Sequence, residues 1–380
     1  MADKRLFGDV HYIDESDASW IIDGIFKEKT ILKFIRFFNL KLDSRKYIDL
    51  MYSMKTVSEL QKNILVPIFT QIFENTTDGI TCSNIEVVSR DRAAAFISNH
   101  RDIVLDSAAM NMMLFRNGFR LANAGIGDNL LMNGAAQIIF NMMKCFVIKR
   151  SLPAKQQVIF LHDLSEYINY CVTEKGESIW IAQASGRAKD GNDRTNPAII
   201  KMLAMSNRDD AVEQLTALNI HTTACSYEWD PCDVLKVAEL LVKEQGRTYI
   251  KKPNEDMISI YAGICEPKGR IHVSFDRLPE EILPACRDLR EKERMQKIAS
   301  AVDSLIRKGY RLFASNFIAA DLLSGTDAHS SEYSVEDKEY FIERMELRLS
   351  RFEDAAASRA RELFLTMYAN SVINRNETFH

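Results

Sequence analysis

The stretch Ser98-Asn99-His100-Arg101-Asp102-Ile103-Val104-Leu105-Asp106 holds the residue pattern most able to do chemistry. It closes a short apolar run at residues 93–97. A neutral imidazole takes up a proton near pH 7, and a carboxylate on its other nitrogen fixes the tautomer and supports the cation that forms. Asp102 and Asp106, two and six residues past His100, are both candidate partners, so the pattern reads as a general base. A surface histidine beside helix-capping acids would present the same letters. Two cationic turns follow. Lys149-Arg150 ends the run at 145–148 and suits a phosphate. Gly186-Arg187-Ala188-Lys189-Asp190-Gly191 follows the run at 178–182, precedes a helical stretch at 198–205, and suits an anion. Either turn could equally be a solvated charged loop. No G-x-x-x-x-G-K-[ST] is present, and Gly125-x-Gly127 is too short for a dinucleotide fingerprint.

These turns need elements to position them. Four short apolar runs, at 93–97, 145–148, 178–182 and 223–225, each end in a polar turn, with helical stretches such as 129–143 and 154–173 between them. Strand, turn and helix in alternation indicate an α/β fold, a mixed central sheet flanked by helices. Ligands gather at strand ends in such sheets, so the turns are expected to converge. A further strand is expected at 270–275, and helices at 279–308 and 334–370. The expected organisation is an N-terminal helical segment at 1–80, the α/β domain at 81–278 and a helical C-terminal extension at 279–380. Before residue 76 the apolar stripes run through Trp20, Ile21 and Ile25, then Ile31, Phe34, Phe37 and Phe38, then Val57, Leu60, Ile64, Ile68 and Ile72. Helical spacing of this kind signals core packing or a face laid on a membrane or an acyl chain.

Composition excludes several classes. A chain of 380 residues with 46% apolar and 27% charged residues is neither disordered nor collagenous. A net charge of −4 gives no bulk signal for nucleic-acid binding. The seven cysteines form no C-x-x-C pair, so buried reduced thiols are expected rather than a disulfide framework or a zinc ribbon. His162, His221 and His272 lack metal-site spacing and read as structural. The first twenty residues carry acids and no apolar signal core, and no run of about 18 apolar residues appears. The expectation is a soluble or peripheral cytoplasmic protein.

The order of these turns resembles the four-block pattern of the glycerolipid acyltransferases, which include glycerol-3-phosphate and 1-acylglycerol-3-phosphate acyltransferases. Asn99-His100 matches the first block, 146–150 the second, 186–189 the third and Ser226-Tyr227-Glu228 the fourth, and the wording looks like a branch found in Bacteroidetes-type bacteria. The likeness covers most of the chain from about residue 55 through Tyr368-Ala369-Asn370. It implies a phospholipid-biosynthetic acyltransferase with His100 as base and Asp106 or Asp102 behind it. It further implies a substrate-binding set of Arg101, Lys149, Arg150, Ser185, Gly186, Arg187 and Lys189. Acyl-CoA or acyl carrier protein would be the donor, a glycerol-phosphate or lysophospholipid the acceptor, and the inner face of the cell membrane the location, with no metal or cofactor. Three positions depart from the family pattern. The acid comes six residues after His100 instead of five, Ser185 stands in place of Glu, and Thr222 in place of Pro. The last two imply an altered acceptor pocket. They keep open a hydroxyl-bearing aminolipid acceptor, or a paralogue that binds lipid or acyl carrier without turnover.

Overall fold

A computed structural model of the chain describes residues 6–29, 45–131, 134–207, 209–252 and 254–379. The stripe at Ile31, Phe34, Phe37 and Phe38 lies outside the described residues. Seven strands form one sheet: β1 (Ile80–Ser83), β2 (Ala95–Ser98), β3 (Asn123–Gly127), β4 (Phe146–Ile148), β5 (Ile179–Ala182), β6 (His221–Tyr227) and β7 (Ile271–Arg277). Their spatial order is β1-β7-β6-β2-β5-β3-β4. All neighbours are parallel except β6 and β7, which pair antiparallel over His221↔Arg277 to Tyr227↔Ile271. Five strands, β2 to β6, therefore run one way and end on the same edge. The α/β class expected from the alternating runs is the one observed.

Fifteen helices are used in the description below: α1 (Ala18–Lys27), α2 (Arg45–Ser53), α3 (Val57–Leu60), α4 (Val66–Thr76), α5 (Leu105–Arg116), α6 (Gly134–Met142), α7 (Ala154–Asn169), α8 (Pro197–Leu203), α9 (Ala211–Ala217), α10 (Asp233–Glu244), α11 (Glu255–Cys265), α12 (Glu291–Lys308), α13 (Ala314–Ser324), α14 (Val335–Leu349) and α15 (Asp354–Phe379). Side chains alternate across a strand, and the sheet buries both faces. Phe96, Trp180, Cys225 and Val273 enter one core with α1 and α3 to α6. Ala95, Ile97, Ile179 and Ile181 enter a second core with α7, α8, α9 and α12. Helix α12 thus belongs to the core under the sheet, and α10 and α13 to α15 form a third cluster around Phe341, Phe364 and Tyr368.

Two strands escape the apolar-run pattern. β1 has Ile80 as its one aliphatic residue, and it sits at the sheet edge, where only one neighbour must be satisfied. β3 reads Asn-Ala-Gly-Ile-Gly. Its glycines answer to packing: a Cβ on Gly125 would stand 2.9 Å from the Phe146 ring, and one on Gly127 would stand 2.8 Å from Arg150 Cζ. Helices α10, α11 and α13 were also not anticipated, and the long helix expected at 334–370 is two helices with a break after Leu349.

The stripe Val57, Leu60, Ile64, Ile68 and Ile72 is buried in the first core, with Ile64 wholly inaccessible. Thr56 caps it in a box with Glu59, and Gln61–Leu65 continues it as one π-helical turn. This stripe packs the domain and does not face outward. Among the described residues no helix is long and apolar enough to cross a membrane. All seven cysteines are free thiols. Ile64→Ala should lower unfolding free energy by about 2–5 kcal/mol in urea titration; a change near zero would place the stripe on a surface.

Candidate active site

His100 sits just past the end of β2, and its surroundings are set by side chains that stitch strand ends together. The β2–β6 ladder stops at Ser98↔Thr223. Asn99 extends it, accepting from Cys225 N at 2.8 Å and donating to Cys225 O at 3.0 Å. On the other side, Gln183 N donates to Ser98 O and Ala188 N to His100 O, both at 2.8 Å, so the loop after β5 is held against the His100 backbone.

Asp106 lies in the first turn of α5, where the exposed amides and the helix dipole favour a negative charge. It is fully buried. Its Oδ2 accepts from Arg101 N (2.8 Å), Asp102 N (2.9 Å) and His100 Nδ1 (3.0 Å), and its Oδ1 accepts from the Tyr227 hydroxyl (2.7 Å). The six-residue spacing therefore closes, because the chain turns back over the helix start. With Nδ1 committed to Asp106, Nε2 is the imidazole nitrogen left to face the cleft that His100 lines.

That cleft has a volume of about 600 Å³ and opens at the common ends of β2, β3, β4 and β5. His100, Lys149, Arg150, Ser185, Gly186, Arg187 and Lys189 all line it, so seven residues of the expected set meet in one place. One wall is aliphatic, with Leu161, Leu164, Ile181, Ile199 and Met202. The Trp180 ring lies edge-on to His100, with centroids 6.1 Å apart.

The cations differ in how free they are. Lys189 Nζ is 2.8 Å from Glu239, yet burial and the neighbouring Arg187 cation outweigh that partner and hold its pKa at about 8. Lys149 reaches Asp9 at 3.4 Å over the Phe160 ring. Arg150 lies across the backbone of Gly127, where no side chain stands in its way, and burial lowers its pKa against the pull of Asp128 and Asp256. Arg187 donates through Nη2 to Ser259 Oγ at 3.3 Å, while its Nη1 is buried without a partner among the described residues. A buried unpaired donor on a cleft-lining cation is a place for an anion to bind. Ser185 is exposed at this loop.

Two residues of the expected set are placed elsewhere. Arg101 points away from the cleft into a buried network, with Nη2 2.8 Å from Asp193 and Nη1 3.1 Å from Asp230, and Nη2 also reaches Gly191 O. Its charge is met within the fold, and it does not join the expected substrate-binding residues that line the cleft. Asp102 turns from His100 and caps α5, accepting from Val104 N and Leu105 N at 2.9 and 2.8 Å. Burial first, and Asp106 second, raise its pKa, and the imidazole's Nδ1 is bonded to Asp106 instead. The thiols are equally unsuited to attack. Burial pushes Cys145 and Cys225 far up and Cys232 to about 12. His221 and His272 bond to neighbouring carbonyl or hydroxyl oxygens. His162, Asp163 and Glu166 bring one donor atom each within 4.8 Å on α7, partly exposed and outside the cleft lining.

No protein-family model matches the chain, and neither does any curated protein. Among solved structures the chain is similar to the 1-acyl-sn-glycerophosphate (LPA) acyltransferase PlsC from Thermotoga maritima. The identity is 12% and the TM-score 0.32, over 76% of this chain and 95% of that one.

Two measurements check the site's electrostatics. Arg101→Ala should lower unfolding free energy by about 3–5 kcal/mol, because Asp193 and Asp230 would be left buried and unpaired; a loss below about 1 kcal/mol would remove the buried network from its place in the fold. Lys189 is a cation below pH 8 and neutral above it, so inorganic phosphate should bind more weakly as pH rises from 7 to 9. Calorimetry on Lys189→Gln should show that part of the decline gone.

Proposed function

We propose that the chain is an O-acyltransferase that moves a fatty acyl group from a thioester carrier to the hydroxyl of a glycerol-phosphate-type acceptor. The observation that carries this reading is His100, held through Nδ1 by the buried Asp106, at the wall of a cleft that joins six cations to an aliphatic surface. In the proposed reaction Nε2 takes the acceptor's hydroxyl proton as that oxygen attacks the thioester carbonyl carbon. The C–O bond forms, the C–S bond breaks, and the proton passes from Nε2 to the leaving thiolate. Asp106 stays a carboxylate throughout and steadies the imidazolium between the two transfers.

Arg187, with its spare donor, and Arg150 are the proposed phosphate anchors, and Lys189 and Lys149 add charge from the sides. The aliphatic wall of Leu161, Leu164 and Ile199 suits the acyl chain. Acyl-CoA and acyl carrier protein are both suitable donors. A peripheral position on a membrane surface fits the exposed Ile250, Ile258 and Tyr261 beside the basic run Arg247, Lys251 and Lys252.

The test is thiol release from acyl-CoA and from acyl carrier protein, with glycerol 3-phosphate, its 1-acyl derivative and an aminolipid offered separately. Acceptor-dependent release should fall about 10²- to 10⁴-fold in His100→Ala, with Asp106→Asn intermediate. Equal release by wild type and His100→Ala would sink the reading. Activity that appears only in Ser185→Glu would mark a binding paralogue instead.

A further inference from the structure

Tyr227 is the donor to Asp106 that none of the sequence patterns identifies with the base. It is the last residue of β6, and its hydroxyl lies 2.7 Å from Asp106 Oδ1, on the side of the carboxylate opposite the imidazole. Both groups are buried. Burial, and then the Asp106 charge, push the phenol's pKa well above its ordinary value, so the hydroxyl keeps its proton and donates. The remaining donors to Asp106, the amides of Arg101 and Asp102, converge with His100 on Oδ2. Oδ1 thus has one partner among the described residues, and that partner sets the rotation of the carboxylate about Cβ–Cγ.

We propose that Tyr227 is a positioning residue that completes a Tyr227–Asp106–His100 relay, fixing which Asp106 oxygen meets the imidazole and how much of its charge the imidazole sees. The inference rests on the base role given to His100 above. Its geometry is rigid for a physical reason. The phenol is carried by a strand with neighbours on both sides, paired to β7 at Ile271 and packed in the first core. The carboxylate is carried by a helix start and the imidazole by the β2 turn. Three separate elements therefore meet at one carboxylate, and the hydroxyl supplies the only contact to it from β6 side chains. Other titratable groups that face this carboxylate are Asp102 from the β2–α5 loop, whose own pKa is raised by burial, and Cys225 from β6, whose thiol sits 3.5 Å from Asp106 O and is pushed up by burial. Neither donates to the Asp106 side chain.

Removing the hydroxyl leaves Oδ1 without a donor in a dry site. More of the carboxylate charge is then available to Nδ1–H, and the imidazolium gains. The expected signature is a change in His100 itself, which a packing role for the ring would not produce. Tyr227→Phe keeps the ring and deletes the bond. The midpoint of the His100 titration, followed by side-chain nitrogen–proton NMR, should move to higher pH. The turnover number for thiol release should fall about ten-fold, a part of the ~10²–10⁴ carried by the base, while KM for donor and acceptor stays within two-fold of wild type on this scale. In the Asp106→Asn background the same substitution should cost nothing further. An unmoved His100 titration, or equal losses in both backgrounds, overturns the proposal. If Tyr227→Phe does not fold, the wild-type spectrum decides: a hydroxyl bonded to a buried carboxylate gives a downfield, slowly exchanging proton that Asp106→Asn removes, and its absence also overturns the relay. The NMR arm needs no substrate. A chain with no acyltransfer but a shifted His100 titration would therefore fail the functional reading alone, and the reverse result would fail the relay alone.

Discussion

The guanidinium of Arg101 is the constraint on which the site depends. It is buried beside His100, and burial alone would lower its pKa. Asp193 from the loop after β5 and Asp230 from the turn after β6 more than reverse that, and raise its pKa. The pairing extends outward. Tyr310 donates to Asp193 at 2.7 Å, Lys236 of α10 pairs with Asp230, and Ser371 of α15 sits 3.3 Å from Arg101 Nη2. A charge that must be neutralised on several sides forces three strand ends and the C-terminal helices into one arrangement. His100 is the neighbouring residue, so its backbone is fixed by the same demand. The amides that hold Asp106 belong to Arg101 and Asp102, which places the dyad directly downstream of this network.

The cleft inverts that logic. There the cations outnumber the carboxylates that reach them, and their partners are longer or shared. Arg187 keeps a donor unused, Lys149 meets Asp9 only at 3.4 Å, and Lys189 shares Glu239 with Lys243. Charge left over in a partly dry space costs free energy that a bound anion would offset. The ions behind His100 are closed among themselves, whereas Arg187 in front of it keeps a buried donor without a partner among the described residues. Residue type alone draws no such line, because Arg101 and Arg187 look alike in sequence.

This is also where the sequence stopped being legible. The strand-and-turn rhythm was readable because parallel strands buried on both faces are short apolar runs, and the polar turns at their ends converge as the α/β rule requires. The His100–Asp106 contact was readable for a similar reason, since the two residues are six apart and share one local turn. The buried network of Arg101 was not legible because its partners arrive from 92 and 129 residues away. Tyr227 went unnoticed as a partner of Asp106 because 121 residues separate them. β3 was missed for the opposite reason: its glycines, which weaken any strand signal, are what allow Phe146 and Arg150 to lie against it. Local chemistry was visible, while contacts that depend on register between distant strands were not.

The C-terminal helices are part of the same argument. Gly191 has a left-handed backbone at φ +75°, and a Cβ there would stand 2.1 Å from Met367 O of α15. Asn370 Nδ2 donates to Asp190 O at 2.8 Å, and Asn316 of α13 donates to Tyr368 O. The loop that bears Arg187 and Lys189 is therefore clamped at its far end by α15, just as its near end is tied to His100 through Ala188 N. A glycine-containing cationic loop left free would sample many conformations and bind an anion at the cost of ordering itself. Held at both ends, it keeps its cations over the cleft before any ligand arrives. The third hydrophobic cluster, which contributes no residue to the cleft, acts on it by pre-organising this one loop.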